Sequence, residues 1–227
     1  TQPLFISPTW SLFAMGGISH GTSKSFSNTT ALVDSVTRRY SLSLNANYTK
    51  DRLAFSITPQ ISRASTTDYM PVAGPFKRDI TLFTGSFNGS YQLQNGVVLS
   101  TNGAWQYTNT KLLPGDLLFQ IGGPTTVRGF PSDASAGDSG YFAQFEAHKS
   151  VDFAGLNKGL DVYGFLDLGA VYSTFPKEMI FASAGAGVSY LITDNVKFEV
   201  GFGVPLKKVV ANQSWGKVYA RLTAAAF

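Results

Sequence analysis

The sequence predicts an all-β protein, a transmembrane antiparallel β-barrel whose strands follow one another as a meander. Polar and apolar residues alternate with a period of two in about ten separate runs, as in strands that have one wet and one apolar face. Each run is near or above the ~9–11 residues that a tilted strand needs to cross a bilayer. Short and long connectors alternate between the runs, which is typical of a barrel with tight turns at one end and loops at the other.

The stretch from residue 80 to residue 93 illustrates the alternation. Phe83, Phe87 and Tyr91 fall on one face, whereas the residues between them are mostly Ser, Thr, Asn and Gln. The polar face suits a wet barrel interior, and the aromatic-rich face suits lipid and its interfaces. The predicted strands cover residues 9–20, 35–49, 52–63, 79–93, 97–108, 140–150, 160–173, 179–192, 196–205 and 217–227.

Composition excludes several classes of protein. Charged residues make up 14% of the chain, well below the ~25% of an average soluble domain. Cysteine is absent and the two histidines, His20 and His148, do not have metal-site spacing, so we expect no metal site and no cysteine nucleophile. We also expect no other cofactor and no enzymatic activity. The net charge of +4 comes without a basic block, so we expect no nucleic-acid partner.

Two further features bear on how the chain sits in a membrane. No apolar stretch approaches the ~18 residues of a membrane-spanning helix, so the crossing elements are expected to be strands. Thr1 begins the chain without a methionine or a signal-like apolar segment, which we interpret as a processed protein or an excised part of a larger one. The glycine pairs 185/187 and 201/203 lie within strands, where glycine usually marks close packing or curvature.

Connector lengths assign the two ends of the predicted barrel, because tight turns are periplasmic and long loops extracellular in outer-membrane barrels. The tight turns lie at 50–51, 94–96 and 193–195, with a longer one at 151–159; the loops lie at 21–34, 64–78, 109–139 and 206–216, with a short exception at 174–178. The C-terminus then falls on the periplasmic side. Phe227 resembles the terminal aromatic of an outer-membrane assembly signal, although it stands opposite the apolar set of its strand and a chance terminal aromatic is the alternative.

The loop 109–139 is the longest stretch without periodicity, and its glycines and prolines exclude a regular strand or helix. Near its middle stands the tetrapeptide 127–130, Val-Arg-Gly-Phe. Two carboxylates on later strands could face it. Asp167 shares a face with Tyr163 and Phe165, and because an aspartate in lipid is costly we expect that face to point inward. Glu146 is also inward by the same alternation.

The segment 118–130, Leu-Phe-Gln-Ile-Gly-Gly-Pro-Thr-Thr-Val-Arg-Gly-Phe, is followed by Gly-Tyr-Phe at 140–142, which opens a strand. A second motif at 165–169, Phe-Leu-Asp-Leu-Gly, lies in the next strand but one. Together they resemble the two-partner secretion outer-membrane transporters of the hemolysin/hemagglutinin activator type, which share a superfamily with the barrel-assembly proteins. The resemblance covers essentially the whole chain. It implies a barrel of about sixteen strands, of which residues 1–227 would form the C-terminal portion, without the periplasmic polypeptide-transport-associated domains.

The resemblance also implies roles for these residues. The loop 109–139 would fold back from the extracellular side into the lumen, where Arg128 pairs with Asp167 on the barrel wall. Glu146 is a possible second acceptor, since a guanidinium can bridge two carboxylates. Gly129 would permit a tight backbone at the tip of the loop, as we call residues 127–130. Val127 and Phe130 complete the motif, and Phe130 is expected to wedge against lumenal apolar atoms such as those of Tyr163 or Phe165. The alternative for Arg128 is a solvated surface arginine.

The function implied by the resemblance is polypeptide transport across the outer membrane of a Gram-negative bacterium. The protein would export a large β-helical partner by two-partner secretion, driven by folding of that partner outside the cell. Its other partners would be the outer-membrane lipid and, during biogenesis, the barrel-assembly machinery. Two alternatives stay open: an insertase of the same superfamily that acts on nascent barrels, and a passive porin or structural barrel without a polypeptide substrate.

Overall fold

The computed structural model describes residues 1–27, 30–70, 74–132, 134–152, 159–172, 178–193, 195–209 and 213–224. For residues 23, 25–27, 30–35, 68–70 and 74–75 it gives the backbone only. Phe227 lies outside the described residues. Within these ranges no helix is long and apolar enough to cross a membrane.

Eleven strands of the described chain form one antiparallel sheet in which nearly every strand pairs with the next along the sequence. They are β1 (Gln2–Ile6), β2 (Trp10–Ser27), β3 (Thr30–Lys50), β4 (Leu53–Met70), β5 (Gly74–Gln92), β6 (Val97–Tyr107), β9 (Ser139–Val151), β10 (Leu160–Tyr172), β11 (Met179–Thr193), β12 (Val196–Pro205) and β13 (Lys217–Ala224). Between β6 and β9 the loop carries a short 3₁₀ turn (Gly115–Leu117) and a hairpin of β7 (Phe119–Ile121) with β8 (Ser135–Gly137). The all-β meander predicted from the sequence is confirmed.

The sequence pattern predicted about ten strands, and the sheet of the described chain has eleven. The additional strand, β1, is too short and too exposed to produce an alternating pattern. The bounds of several predicted strands are wrong. The segments 21–34 and 64–78 were predicted as loops, but most of their residues continue as paired strands. Thr22 faces Val36, for example, and Ser65 faces Asp79. Backbone pairing continues past the apolar band because an antiparallel ladder does not depend on apolar side chains.

The two faces of the sheet differ in chemistry. Leu42, Ile61 and Phe83 are opposite one another on β3, β4 and β5 and are all exposed. The same face carries exposed Leu166 and Leu168 on β10. We call it the apolar face, and it suits contact with lipid. The opposite face, which we call the polar face, carries the Ser, Thr, Asn and Gln of the alternation together with Asp167 and Glu146.

The loop 109–139 packs on the polar face in two apolar clusters. Its first part puts Leu113 and Leu117 on Ala64, Ile80 and Leu82, all five buried. Burial of one such large aliphatic side chain contributes about 1.5–3 kcal/mol. Ile80 and Leu82 break the polar pattern of their face because the loop, not water, covers them.

The second cluster joins the later part of the loop to the wall. Ile121, Val127 and Phe130 pack on Val171 of β10 and Phe181 of β11. Val127 and Phe130 have no solvent exposure at all. The loop therefore completes a core with the sheet and is held along both of its halves.

The assignment of the faces can be tested with one arginine placed on either side of the sheet. Leu44→Arg puts a charge near the middle of the apolar face, and it should lower the free energy of unfolding in vesicles by about 2–4 kcal/mol. Asn88→Arg places the same residue at a similar depth on the polar face, where Asn88 is exposed, and should change it by less than about 1 kcal/mol. Urea titration measures both; equal destabilisation would contradict the assignment.

Candidate functional site

The loop is tied to the sheet where it leaves β6 and where it returns to β9. The buried carboxylate of Asp138 accepts hydrogen bonds from the backbone N–H groups of Leu112 at 3.1 Å and Leu113 at 2.8 Å. The side-chain amide of Gln106 donates to the carbonyl oxygens of Leu117 at 2.7 Å and Asp138 at 3.0 Å. These bonds satisfy backbone groups that would otherwise be buried unpaired, so the path of the loop is fixed before the tip.

Glycines make the turn that delivers the tip. Gly122 and Gly123 have φ of +116° and +87°, which side chains rarely adopt. A Cβ on Gly122 would lie 2.3 Å from the carbonyl oxygen of Pro131, so no other residue fits without movement. The Thr126 hydroxyl accepts from the N–H of Gly122 at 2.8 Å and donates to its carbonyl at 2.9 Å. The tip that follows is consequently held by a defined turn.

Arg128 is the centre of the site. Its Nε and Nη2 donate to Oδ2 and Oδ1 of Asp167 at 2.8 and 2.7 Å, and its own backbone N–H donates to Oδ2 at 2.9 Å. Its Nη1 donates to Oε1 of Glu146. The guanidinium also lies over the ring of Phe165, 3.6 Å from the centroid. One side chain thus bridges two carboxylates and stacks on an aromatic ring, which lysine could not do.

Burial makes this ion pair strong. Asp167 has no exposed surface and Arg128 is 7% exposed. A charge in such a place is stable only with well-placed partners, and removal of one partner from a buried pair costs about 3–5 kcal/mol. Burial lowers the pKa of Arg128, a loop residue, but its hydrogen bonds to Asp167 and the negative charges of Asp167 and Glu146 together raise that pKa above its ordinary value, so the guanidinium stays charged.

Strand alternation puts Asp167 in reach of the loop. On β10 the buried side chains of Tyr163, Phe165 and Asp167 alternate with exposed Leu166 and Leu168. Asp167 stands opposite Gln144 of β9 and Ser183 of β11, both buried. The two carboxylates that alternation placed inward therefore meet one arginine, Asp167 through three bonds and Glu146 through one.

A second group of charges continues from Glu146 along the polar face. His148 contacts Oε2 of Glu146 through Nε2 at 2.8 Å and Oδ2 of Asp161 through Nδ1 at 2.7 Å. Its ring stacks on Tyr163, with centroids 5.0 Å apart. Both ring nitrogens face carboxylates, and only the protonated imidazole can donate to both. Glu146 is therefore shared between Arg128 and His148.

Gly129 lies directly on the wall. Its φ is +88°, and a Cβ there would be 3.1 Å from backbone atoms of Gly203 and Pro205 on β12. The tight backbone expected at this position is present, and it depends on a glycine on each side of the contact. Gly185 serves the same packing, because a Cβ on it would lie 2.4 Å from the ring of Phe165. Gly203 and Gly185 thus leave room on the sheet for the backbone of the loop and for the ring of Phe165.

Phe130 packs on an inward-facing ring, although not on either of the two named as examples from the sequence. It stands edge-on to Phe181, with ring centroids 5.0 Å apart. The guanidinium of Arg128 occupies the face of Phe165. Alternation identifies the inward rings but not which of them the loop reaches.

The sequence reading missed one contact at the tip. The hydroxyl of Tyr219, on β13, accepts from the N–H of Gly129 at 2.5 Å and donates to the carbonyl of Phe130 at 3.1 Å. Tyr219 stands between Val218 and Ala220, which belong to the apolar set of that strand, so its inward direction was readable. The clamp itself was not, because it joins residues about 90 positions apart.

A membrane-type sheet with a long loop fixed on its polar face defines the class of outer-membrane β-barrel transporters. The chain belongs to the haemolysin secretion/activation protein family ShlB/FhaC/HecB, whose model matches residues 13–190. This is a family of two-partner secretion transporters, as the motif resemblance predicted. A comparison with curated proteins finds no match.

Two solved structures have a similar fold. CdiB from Escherichia coli superposes with a TM-score of 0.80 at 19% identity, over 98% of this chain and 43% of that one. CdiB from Acinetobacter baumannii gives 0.79 at 17% identity, over 98% and 40%. The chain thus spans less than half the length of these two proteins, and the eleven-stranded sheet corresponds to part of a larger barrel.

The Tyr219 clamp can be tested by proteolysis, because trypsin cleaves after arginine. Tyr219→Phe removes two hydrogen bonds to the tip, each worth about 0.5–1.5 kcal/mol, and should speed cleavage at the 128–129 bond roughly tenfold. Lys111 is exposed in the same loop and provides an internal reference whose cleavage should not change. Tyr91→Phe, on the apolar face, is the matched control; equal protection of the 128–129 bond in all three proteins would contradict the clamp.

Proposed function

We propose that the protein exports a large, unfolded, β-helix-forming partner across the outer membrane by two-partner secretion. We also propose that the bridge from Arg128 to Asp167 and Glu146, which we call the lock, holds the loop 109–139 inside the barrel. The observation that carries the proposal is the bridge from Arg128 to Asp167 and Glu146 on the polar face. It is the part of the attachment that buries charges, so separation of Arg128 from the two carboxylates removes a large electrostatic contribution to holding the loop. Because the chain belongs to a transporter family, we interpret this bridge as a control on passage through the barrel.

The rest of the polar face supports passage of a polypeptide. Beyond the loop it presents exposed Ser86, Asn88 and Ser90, which are uncharged and can exchange hydrogen bonds with a moving chain. Some of its charges are paired: Arg221 with Glu199 at 2.7 Å, and His148 with Asp161 and Glu146. A wall of paired charges and small polar groups offers few strong contacts that would hold an exported chain.

Release of the loop requires energy from elsewhere. Withdrawal of Arg128 leaves Asp167 buried without its main partner, at a cost of about 3–5 kcal/mol. We propose that contacts with the incoming partner offset this cost and that folding of the partner outside the cell drives its passage. The transport then needs no nucleotide, no cofactor and no catalytic group in this chain.

Orientation and domain organisation follow from the same proposal. Residues 1–227 act as one transmembrane barrel unit, and residues 109–139 enter the lumen from the extracellular side. The tight turn 51–52 and the turn 93–96 then face the periplasm, as does the C-terminal end of β13. The remaining proposed partners are the lipid around the apolar face and the barrel-assembly machinery during biogenesis.

Secretion fits better than the two alternatives. An insertase acts at a seam between strands, whereas the contacts described above are concentrated on a loop inside the sheet. A passive porin has no use for a lock that buries a carboxylate. The family match also names secretion and activation of a protein.

Substitution of the lock tests the proposal in an export assay with the full-length transporter and its partner. Arg128→Ala and Asp167→Asn should each lower export at least tenfold and change single-channel conductance, because the seated loop loses about 3–5 kcal/mol. Arg128→Lys keeps the charge but not the fork, and export should remain impaired.

The matched control is Arg221→Ala, which breaks the pair with Glu199 on the same face. It should leave export within about twofold, since the Arg221 side chain is 69% exposed and Glu199 keeps its hydrogen bond from Tyr163. Unchanged export in both Arg128→Ala and Asp167→Asn would overturn the lock. Steady conductance in both variants would favour the passive porin instead.

A further inference from the structure

A group of cations lies on the apolar face, at the end of the sheet where the long loop begins. Arg38 of β3 faces Ser65 of β4, which in turn faces Asp79 of β5. Arg63 lies one step nearer the centre of the strands and Lys77 one step farther out. Cross-strand partners project from the same face, so these side chains form one surface. We call Arg38, Arg63, Lys77 and Asp79 the basic patch.

The basic patch is open to its surroundings. The side chains of Arg63 and Asp79 are 71% and 59% exposed and form an ion pair at 3.1 Å. Arg38 and Lys77 are also exposed. Three cations against one carboxylate leave the patch positive. None of these residues belongs to the lock formed by Arg128, Asp167 and Glu146, which lies on the polar face.

The position of the basic patch along the strands matches a membrane boundary. On β3, Tyr48 lies at the other end of the apolar band, where its ring stands 4.7 Å from that of Trp10. Arg38 lies on the same strand, ten residues before Tyr48 and toward the opposite end of the apolar band. At about 3.3 Å per residue and a tilt near 40°, that distance rises about 25 Å, the height of the apolar band of an outer-membrane barrel. The basic patch therefore begins where hydrocarbon ends.

The residues at the inner edge of the basic patch, in the row of Arg63, support this boundary. Tyr40, opposite Arg63, is 57% exposed, and Ile18 beside it is 80% exposed. The next row is wholly apolar, with Leu42, Ile61 and Phe83. Aromatic residues mark membrane interfaces, and exposed arginine and lysine beyond them meet headgroups. A change from apolar to basic within two rows is expected where lipid phosphates begin.

From this geometry we propose that Arg38, Arg63 and Lys77 form a binding site for the phosphorylated headgroup of an outer-leaflet lipid. Guanidinium groups bind phosphate oxygens in pairs, and lysine adds a mobile point charge. Asp79 forms an ion pair with Arg63. It also weakens the site, because its carboxylate repels phosphate. The choice of leaflet rests on the proposed orientation, whereas the site itself does not depend on export.

Native mass spectrometry of the full-length protein in detergent tests the proposal. The probes are lipid A with both phosphates, lipid A with neither, and phosphatidylglycerol. Arg38→Gln with Lys77→Gln should lower the affinity for the phosphorylated lipid A roughly thirtyfold, since each surface cation contributes to anionic-lipid binding. Asp79→Asn should raise it several-fold. The double variant should bind the phosphorylated lipid as weakly as the unaltered protein binds the form without phosphates.

The matched control is Lys50→Gln with Arg52→Gln, which removes two exposed cations at the opposite end of β3 and β4. It should change the affinity by less than about twofold, and a heat-shift gel verifies that every variant is folded. Equal losses in the two double variants, or equal affinity for both forms of lipid A, would overturn the site. Tighter binding of phosphatidylglycerol than of lipid A would overturn the outer-leaflet assignment while leaving the export proposal untouched.

Discussion

Asp167 is a carboxylate without solvent exposure, on a strand whose other face carries exposed leucines. A charge buried in this way is stable only where donors surround it. Three of those donors come from a single loop residue, Arg128, two from its guanidinium and one from its backbone. The position of the tip is thus set by the place where this carboxylate must be satisfied, whereas Asp138 and Gln106 fix the path of the loop before it.

The two carboxylates that hold Arg128 are not equivalent. If the arginine leaves, Glu146 keeps its contact with His148, whereas Asp167 is left in a buried site without a cation. The cost of opening is therefore concentrated at Asp167. The glycines that seat the tip and the clamp from Tyr219 add precision and a smaller share of the energy. The electrostatic part of the attachment thus has one point of release, in addition to the apolar clusters that must also separate.

The alternation of the sequence was enough to predict the meander, the apolar face and the inward direction of Asp167 and Glu146, because successive side chains of a strand point to opposite faces, as residues 162–168 do. It did not predict which ring Arg128 covers or that Tyr219 clamps the tip, since these depend on how a non-periodic loop crosses several strands. It also ended β2 and β4 too early and began β3 and β5 too late, because polarity marks the membrane boundary and not the end of pairing.

The Arg128–Asp167 pair holds the loop on the polar face with an energy that packing alone does not supply. A double-mutant cycle with Arg128→Gln and Asp167→Asn measures this energy, with hydrogen exchange of the amides in residues 121–130 as the readout of loop opening. We expect a coupling free energy of about 2–3 kcal/mol for these residues in direct contact. Additive effects within about 0.5 kcal/mol would show instead that packing alone holds the loop.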